Sequence, residues 1–231
     1  MKPMTPAFKR GTGSLSNPAQ FSANYKITEV ARRMGVSDLS KMQITTRQIY
    51  HALKLQISAQ QQTITFFQNV NTTTFPFTNL TDNKLQAGEA IAVERAYFTL
   101  LVCDPTNNKR VQDVLPVENF NVTRPILRGD FDLQIDRQTV TKKINTTSWF
   151  APFNKDARFL STIYTGGETA QIYQYGQSVY HFDNSFVIIP QIEFTATLTI
   201  PPLTALPPFV DTYLMLNLEG LGCLFNPKAN Y

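Results

Sequence analysis

The chain has 231 residues, of which 42% are hydrophobic and only 16% are charged, and its formal net charge is +4. This length suits one β-rich domain with an appendage, and the charged share lies below the roughly 25% typical of soluble proteins. Two distant cysteines give no disulfide framework, and no stretch approaches the about 20 apolar residues of a membrane helix. The first residues lack the apolar run of a signal peptide, so we expect synthesis in the cytoplasm.

Positive charge is concentrated in the N-terminal part of the chain. Residues 1–50 carry eight basic and two acidic side chains, whereas the other 181 residues carry 13 basic and 15 acidic ones. A positive segment on a near-neutral body is typical of an arm that contacts phosphate groups, because neutralising them releases condensed counterions. Solvated charge without a partner is the alternative interpretation. The side chains predicted to contact nucleic acid or an inner surface are Lys2, Lys9, Arg10, Lys26, Arg32, Arg33 and Lys41.

The N-terminal arm comes first in chain order. Proline, glycine, serine and threonine interrupt any apolar periodicity in residues 1–24, which predicts an extended or disordered arm. Apolar residues at helical spacing follow from Ile27 onward, so we expect a short helix that Thr28 caps and Gly35 ends. The stretch 46–56 is ambiguous between helix and strand. The predicted division is an arm with a short helix over residues 1–45 and a β-sandwich over residues 46–231.

Short β segments separated by turn residues follow from about residue 62. The clearest is 191–200, where apolar residues alternate with threonine and glutamate, as in a strand with one buried face. About eight antiparallel strands behind an arm predict a mainly β fold, an antiparallel β-sandwich of single jelly-roll form, with one or two short helices. The other predicted strands cover residues 63–66, 90–103, 131–136, 139–144, 160–164, 180–189 and 211–219.

This order of features resembles the single jelly-roll coat proteins of non-tailed viruses and bacteriophages. The resemblance rests on the basic arm, the strands at 90–103 and 131–135, and the late strand 191–200 with the proline-rich loop after it. It implies a capsid subunit that self-assembles into the virion shell, with an arm that contacts neighbouring subunits or the genome. The implied partners are many copies of the chain, other capsid proteins and genomic nucleic acid, with no cofactor and no small-molecule substrate.

The sequence predicts no enzyme and no metal site. His51 and His181 are the only histidines, and neither lies in a metal-binding pattern. The tripeptide at residues 128–130, Arg-Gly-Asp, matches a cell-adhesion motif, but we interpret it as the turn before the strand at 131, with glycine supplying backbone freedom.

Four tyrosines near glycine-rich turns are candidates for subunit contact, because tyrosine is enriched at interfaces. They are Tyr164, Tyr173, Tyr175 and Tyr180. Two other classes of protein stay open. The tyrosines also suit a β-sandwich receptor- or glycan-binding module, such as a spike or adhesin, and residues 30–44 partly match the helix-turn-helix of a nucleic-acid-binding regulator.

Overall fold

The structure, a computed structural model, describes residues 18–33, 36, 42–73, 76–106, 125, 126, 128–149, 158–165, 168–174, 179–206 and 209–224. Within these residues it contains one α-helix, ten β-strands and short 3-10 turns. The helix α1 is Pro18–Arg33. The strands are β1 (Gln43–Lys54), β2 (Gln62–Phe66), β3 (Glu89–Cys103), β4 (Asp130–Ile135), β5 (Gln138–Asn145), β6 (Arg158–Thr165), β7 (Glu168–Gln174), β8 (Tyr180–Ile188), β9 (Phe194–Ile200) and β10 (Asp211–Leu224).

The helix α1 is longer than the sequence predicts. It begins at Pro18, inside the stretch 1–24 that is expected to be extended, and Thr28 lies in its second half instead of capping its start. Proline fits the first helical turn because its missing N–H would have no partner there. The helical spacing from Ile27 is confirmed, and the helix ends at Arg33.

The ambiguous stretch 46–56 lies mostly in a strand. β1 pairs antiparallel with β10 over its whole length, from Gln43 opposite Leu224 onward. A spacing of four residues, such as that between Ile49 and Leu53, fits both a helix and a strand, and this is why the sequence left the choice open. β1 begins three residues before the predicted start of the sandwich at residue 46.

Eight of the strands form two sheets. Sheet 1 has the order β1-β10-β3-β8, and sheet 2 has the order β2-β9-β4-β5. The chain pairs from its ends inward, β1 with β10, β2 with β9, β3 with β8 and β4 with β5, always antiparallel. This nested pairing is the strand order of a jelly roll, so the predicted single jelly-roll sandwich is confirmed. The sequence missed β7, which forms a separate hairpin with β6.

The core lies between the two sheets. In β10, Leu214, Leu216 and Leu218 are fully buried and alternate with side chains on the outer face. Phe194, Ala196, Leu198 and Ile200 of β9 do the same from sheet 2. Alternation in facing sheets is the pattern of a sandwich with one dry layer between them.

An aromatic row fills one part of this layer. Trp149 is 1% exposed, and its ring stacks on Phe98 and Tyr180 with centroid distances of 5.0 and 5.2 Å. Phe131 meets the same indole edge-on at 4.8 Å. Aromatic pairs at these distances stabilise the core beyond the area that they bury.

The Arg-Gly-Asp tripeptide leads into β4 as predicted, but the reason for its glycine differs. A Cβ at Gly129 would lie 2.8 Å from the carbonyl oxygen of Thr199 and 2.9 Å from Cδ1 of Leu198. The buried hydroxyl of Thr146 also accepts the Gly129 N–H at 2.9 Å. Close packing therefore requires the glycine here, and the tripeptide is a structural connection.

The substitution Trp149→Ala is expected to destabilise the fold by about 3–5 kcal/mol, because it leaves a cavity between stacked rings. Denaturant unfolding followed by far-UV circular dichroism measures this loss. Val140→Ala on β5, at a side chain that is 38% exposed, is the control and should change the free energy of unfolding by no more than about 0.5 kcal/mol. Equal effects of the two substitutions would show that the aromatic row does not support the sandwich.

Candidate functional site: the outer face of sheet 1

Other parts of the chain pack on both ends of the outer face of sheet 1, and no other described segment covers the face between them. Because side chains alternate along β10, Tyr213, Met215 and Asn217 point away from the core that Leu214 and Leu216 enter. Three zones follow along this face, a helix zone, a polar belt and a Phe77 zone. They are the surfaces from which we build the candidate site.

The helix zone is where α1 packs on the sheet. Ile27 and Ala31 of the helix are fully buried, and they lie against Ala90, Ala92 and Cys223 of strands β3 and β10. Small side chains on the strands let a helix approach closely. Burial raises the pKa of the Cys223 thiol to about 11, so the group stays protonated and behaves as a small apolar side chain.

The structure places only some of the predicted basic residues. Lys26 donates a hydrogen bond to the carbonyl oxygen of Ser185 in β8, and Arg32 is exposed on α1. Arg33 ends the helix. Lys2, Lys9, Arg10 and Lys41 lie outside the described residues, as does the side chain of Arg33, so their contact with nucleic acid stays a prediction.

The polar belt consists of Gln48, Tyr97, Thr99 and Asn217. The Gln48 amide nitrogen donates to the Tyr97 hydroxyl and to Oδ1 of Asn217, both at 2.8 Å. Asn217 is 1% exposed, and its own amide donates to Oγ1 of Thr99 at 3.2 Å. Each of these amides is held by its neighbours, so the belt presents hydrogen-bonding groups in fixed positions to anything that covers it.

Charge at the polar belt is balanced. Arg95 and Glu219 form an ion pair beside it, across the β3–β10 pairing. Burial, together with the Glu219 carboxylate, raises the pKa of Tyr97, and its phenol therefore stays uncharged near neutral pH. These are groups that suit contact with a polar surface. Within the described residues, no group of three or more His, Cys, Asp or Glu side chains is placed to hold a metal ion.

The Phe77 zone closes the other end of the face. Phe77 stacks on Tyr213 at a centroid distance of 4.4 Å and covers Ala52, Leu101 and Cys103. The covering residues come from the segment 76–80, which we call the covering segment. It connects a loop end of sheet 2 with sheet 1 and hides apolar side chains that the outer face would otherwise expose.

The covering segment also pairs with the free edge of β1. The N–H of Ala52 donates to the carbonyl oxygen of Phe77 at 2.7 Å. The side-chain amide of Asn79 donates to the carbonyl oxygen of Gln48 at 2.7 Å and accepts the N–H of Tyr50 at 3.0 Å. Asn79 thus takes the place of a backbone peptide in a neighbouring strand. The sequence offered no signal for this role.

His51 connects β1 with the loop that leads to the covering segment. Its ring is fully buried, and Nδ1 accepts the N–H of Phe67 at 2.8 Å. Its other nitrogen, Nε2, lies 3.4 Å from Oγ1 of Thr73. Burial lowers the pKa of His51 to about 4, because the charged ring would lose its water. The neutral ring is therefore the form that the fold holds.

The tyrosines predicted for subunit contact are not all in one place. Tyr164 lies in β6 and Tyr173 in β7, so the hairpin brings these two into one small sheet, while Tyr175 and the side chains of the hairpin lie outside the description. Tyr180 is half-buried and stacks on Trp149 in the core. Of the candidate helix-turn-helix at 30–44, the residues from Gln43 onward belong to β1.

Fold and surface define a single jelly-roll β-sandwich with a helix packed on the outer face of one sheet. No protein-family model matches the chain, and no curated protein matches it at a significant level of similarity. Among the residues that the structure describes, no helix is long and apolar enough to span a membrane.

We expect His51 to make stability depend on pH. The unfolded chain binds a proton at the ordinary pKa of 6.5, whereas the folded chain does so only near 4. Stability should therefore fall by about 3 kcal/mol as the pH drops from 6.5 to 4, and this contribution should then level off. Urea unfolding at a series of pH values measures it.

Carboxylates also titrate near the lower end of this range, so variants are needed to isolate the histidine. His51→Gln should remove the part of the pH dependence that lies between about 6.5 and 4, even if the variant is less stable at every pH. His181→Gln, at an exposed position on β8, should leave the dependence in place. Identical pH profiles for the wild-type chain and His51→Gln would contradict the role of the buried ring.

Proposed function

We propose that the chain is a structural subunit of a virus or bacteriophage capsid and works by assembling with many copies of itself in the virion. The observation that carries the proposal is the single jelly-roll strand order, with α1 packed on the outer face of sheet 1. This fold follows a basic segment, residues 1–17, which carries Lys2, Lys9 and Arg10 and which we call the leader. A shell needs a rigid wall element and chain segments that reach from it to neighbours. The sandwich supplies the first, and residues on either side of it supply the second.

The two ends of the sandwich chain favour this use. β1 begins and β10 ends at the same end of sheet 1, where Gln43 pairs with Leu224. The helix zone lies at this end as well, because Cys223 and Ala90 are part of it. The start of β1, the end of β10 and the buried face of α1 therefore lie at one end of the sandwich, and we place contacts between neighbouring copies there.

The surface of sheet 2 is also suited to burial against another copy. Its outer face carries threonines on neighbouring strands, and Oγ1 of Thr63 lies 3.3 Å from Oγ1 of Thr199 across the β2–β9 pairing. Hydroxyl groups can be covered at a lower desolvation cost than charges. Charged residues are also depleted at the centres of protein interfaces, which is consistent with the low charged share of the chain.

The purified full-length chain, or particles isolated from the source, should contain closed shells of many copies. Negative-stain electron microscopy and light scattering measure this directly. A chain that stays strictly monomeric and is absent from any particle would contradict the proposal. A small discrete oligomer that binds glycans on an array would instead favour the spike or adhesin, and sequence-specific duplex binding would favour the regulator.

A truncated variant lacking residues 2–17 separates assembly from folding in the same experiment. The cut precedes Pro18, so α1 still covers Ala90 and Cys223 and the β-type circular dichroism should be unchanged. Cutting inside α1 would expose that apolar patch and is a poorer test. Normal particles from this variant would show that the leader is not needed for assembly.

The leader should also bind nucleic acid through its charge. The variant Lys9→Gln/Arg10→Gln should weaken binding to single-stranded and duplex nucleic acid alike, and the slope of log K against log salt should shrink by about 1 to 2. Fluorescence anisotropy at several salt concentrations gives both values.

The matched control removes two neighbouring positive charges from the sandwich. Lys142→Gln/Lys143→Gln changes exposed side chains on β5 by the same amount of charge. Its salt slope should stay at the wild-type value. Equal losses in the two double variants would mean that net charge alone, and not the leader, determines binding.

A further inference from the structure

Each of the two sheets has two edge strands, and natural proteins protect such edges from unwanted pairing. β2 is protected by its length of only five residues. β5 carries Lys142 and Lys143, and Lys143 has a positive φ of 49° where the pairing with β4 shifts register in a bulge. β8 pairs with β3 only at residues 180–181 and 186–188, with an interruption between them, and α1 packs against it. Short length, lysines and a bulge are the usual devices.

The fourth edge strand, β1, is protected over only half of its length. The covering segment pairs with it from Gln48 to Ala52. The preceding residues, 43–46, carry no charge, proline or bulge, and all four side chains are exposed, with Ile44 at 42%. We call residues 43–47 the open edge.

The backbone groups of the open edge point away from the sheet at alternate residues. Tyr50 and Ala52 direct their N–H groups to the covering segment, so the odd-numbered residues of β1 bond to β10. By the same alternation, the N–H and C=O groups of Ile44 and Thr46 point outward. No partner for these four groups is found among the described residues. Backbone N–H and C=O groups inside a sheet are normally paired.

The geometry points to the open edge of β1 as a self-pairing site, at which the β1 strands of two copies join antiparallel into one continuous sheet. This inference rests on the proposed function and deepens it by naming one contact between copies. A second copy is the occupant because the open edge is complementary to itself. It offers two donors and two acceptors in a row, and the same row from another copy satisfies all of them.

The hydrogen bonds that β1 already makes within its own chain determine the register of this pairing. With Thr45 on the twofold axis, Ile44 lies opposite Thr46 of the second copy, and four hydrogen bonds form between the two strands. A register centred on Thr46 would bring Ile44 opposite Gln48, whose carbonyl oxygen already accepts the Asn79 amide. The register centred on Thr45 therefore uses the N–H and C=O groups of both Ile44 and Thr46 and leaves the covering segment in place.

Charge does not oppose the pairing. Arg47 is the one charged side chain of the open edge, and its guanidinium lies 2.8 Å from Oε2 of Glu89 within the same chain. Two copies thus meet without an unpaired like charge on either side of the axis. Opposed like charges are the usual means of rejecting such a contact.

The substitution Thr45→Cys tests the register directly. Two residues that face each other across a non-hydrogen-bonded pair have Cα atoms about 4.5 Å apart, within the range that a disulfide spans. Mild oxidation of assembled particles should convert most of the chain into a covalent dimer on non-reducing gels. Cys103 and Cys223 are each only 2% exposed, and the wild-type chain should stay monomeric on the same gel.

Thr46→Cys is the matched control, since the side chain is one residue away and equally exposed. Position 46 of the second copy lies diagonally across the strand pair, beyond the about 7 Å between Cα atoms that a disulfide can span, so this variant should not cross-link with itself.

Thr45→Lys and Thr45→Glu should each weaken dimerisation about tenfold or more in sedimentation experiments, and mixing the two variants should restore it.

The outcomes separate this inference from the proposed function. If the wild-type chain forms particles but Thr45→Cys does not cross-link and Thr45→Lys assembles normally, the self-pairing is wrong and the capsid proposal still stands. A wild-type chain that never associates would overturn both. Cross-linking of Thr45→Cys with restoration by the Lys and Glu mixture supports both.

Discussion

The pairing of β10 with β1 on one side and β3 on the other is the interaction on which the rest of the structure depends. It joins strands from opposite ends of the chain. The conformational entropy of closing a loop of most of the sequence is therefore lost before core burial stabilises the fold. The pairing also imposes a glycine. β3 carries one extra residue, Glu94, and a Cβ at Gly220 would lie 2.0 Å from the carbonyl oxygen of Ala92. A side chain at position 220 would force β3 and β10 apart in the middle of sheet 1.

Alternation along β10 then decides what the outer face of sheet 1 must be. Because the leucines of β10 enter the core, the residues between them lie on the outer face, and several of those outer residues are apolar. At one end α1 covers Cys223, and at the other end Phe77 covers Met215. Between them lies Asn217, which is buried by its neighbours and fully hydrogen-bonded. Among the described residues, no other segment covers the polar belt, which is consistent with its hydrogen-bonding side chains.

The sequence predicted the parts of this structure that depend on local pattern. Strict alternation identified β9 and β10, and turn residues separated them from their neighbours, so eight of the ten strands and the jelly-roll form could be inferred. The sequence could not decide β1, because the spacing of Ile49 and Leu53 fits two periods. It also could not reveal the roles of Asn79 and His51, since both act on backbone groups far away in the sequence. Contacts of that kind leave no periodic trace.

The different lengths of the two sheets connect folding with assembly. β3 and β10 have 15 and 14 residues, whereas the strands of sheet 2 have five to eight, so sheet 1 extends beyond the core. Ile49 is the first residue of β1 that belongs to the central cluster, and the open edge lies entirely before it. Pairing there neither adds to nor disturbs the packed layer between the sheets. The proposed contact between copies at this position could therefore form and break while each sandwich stays folded, as the proposed assembly of a shell requires.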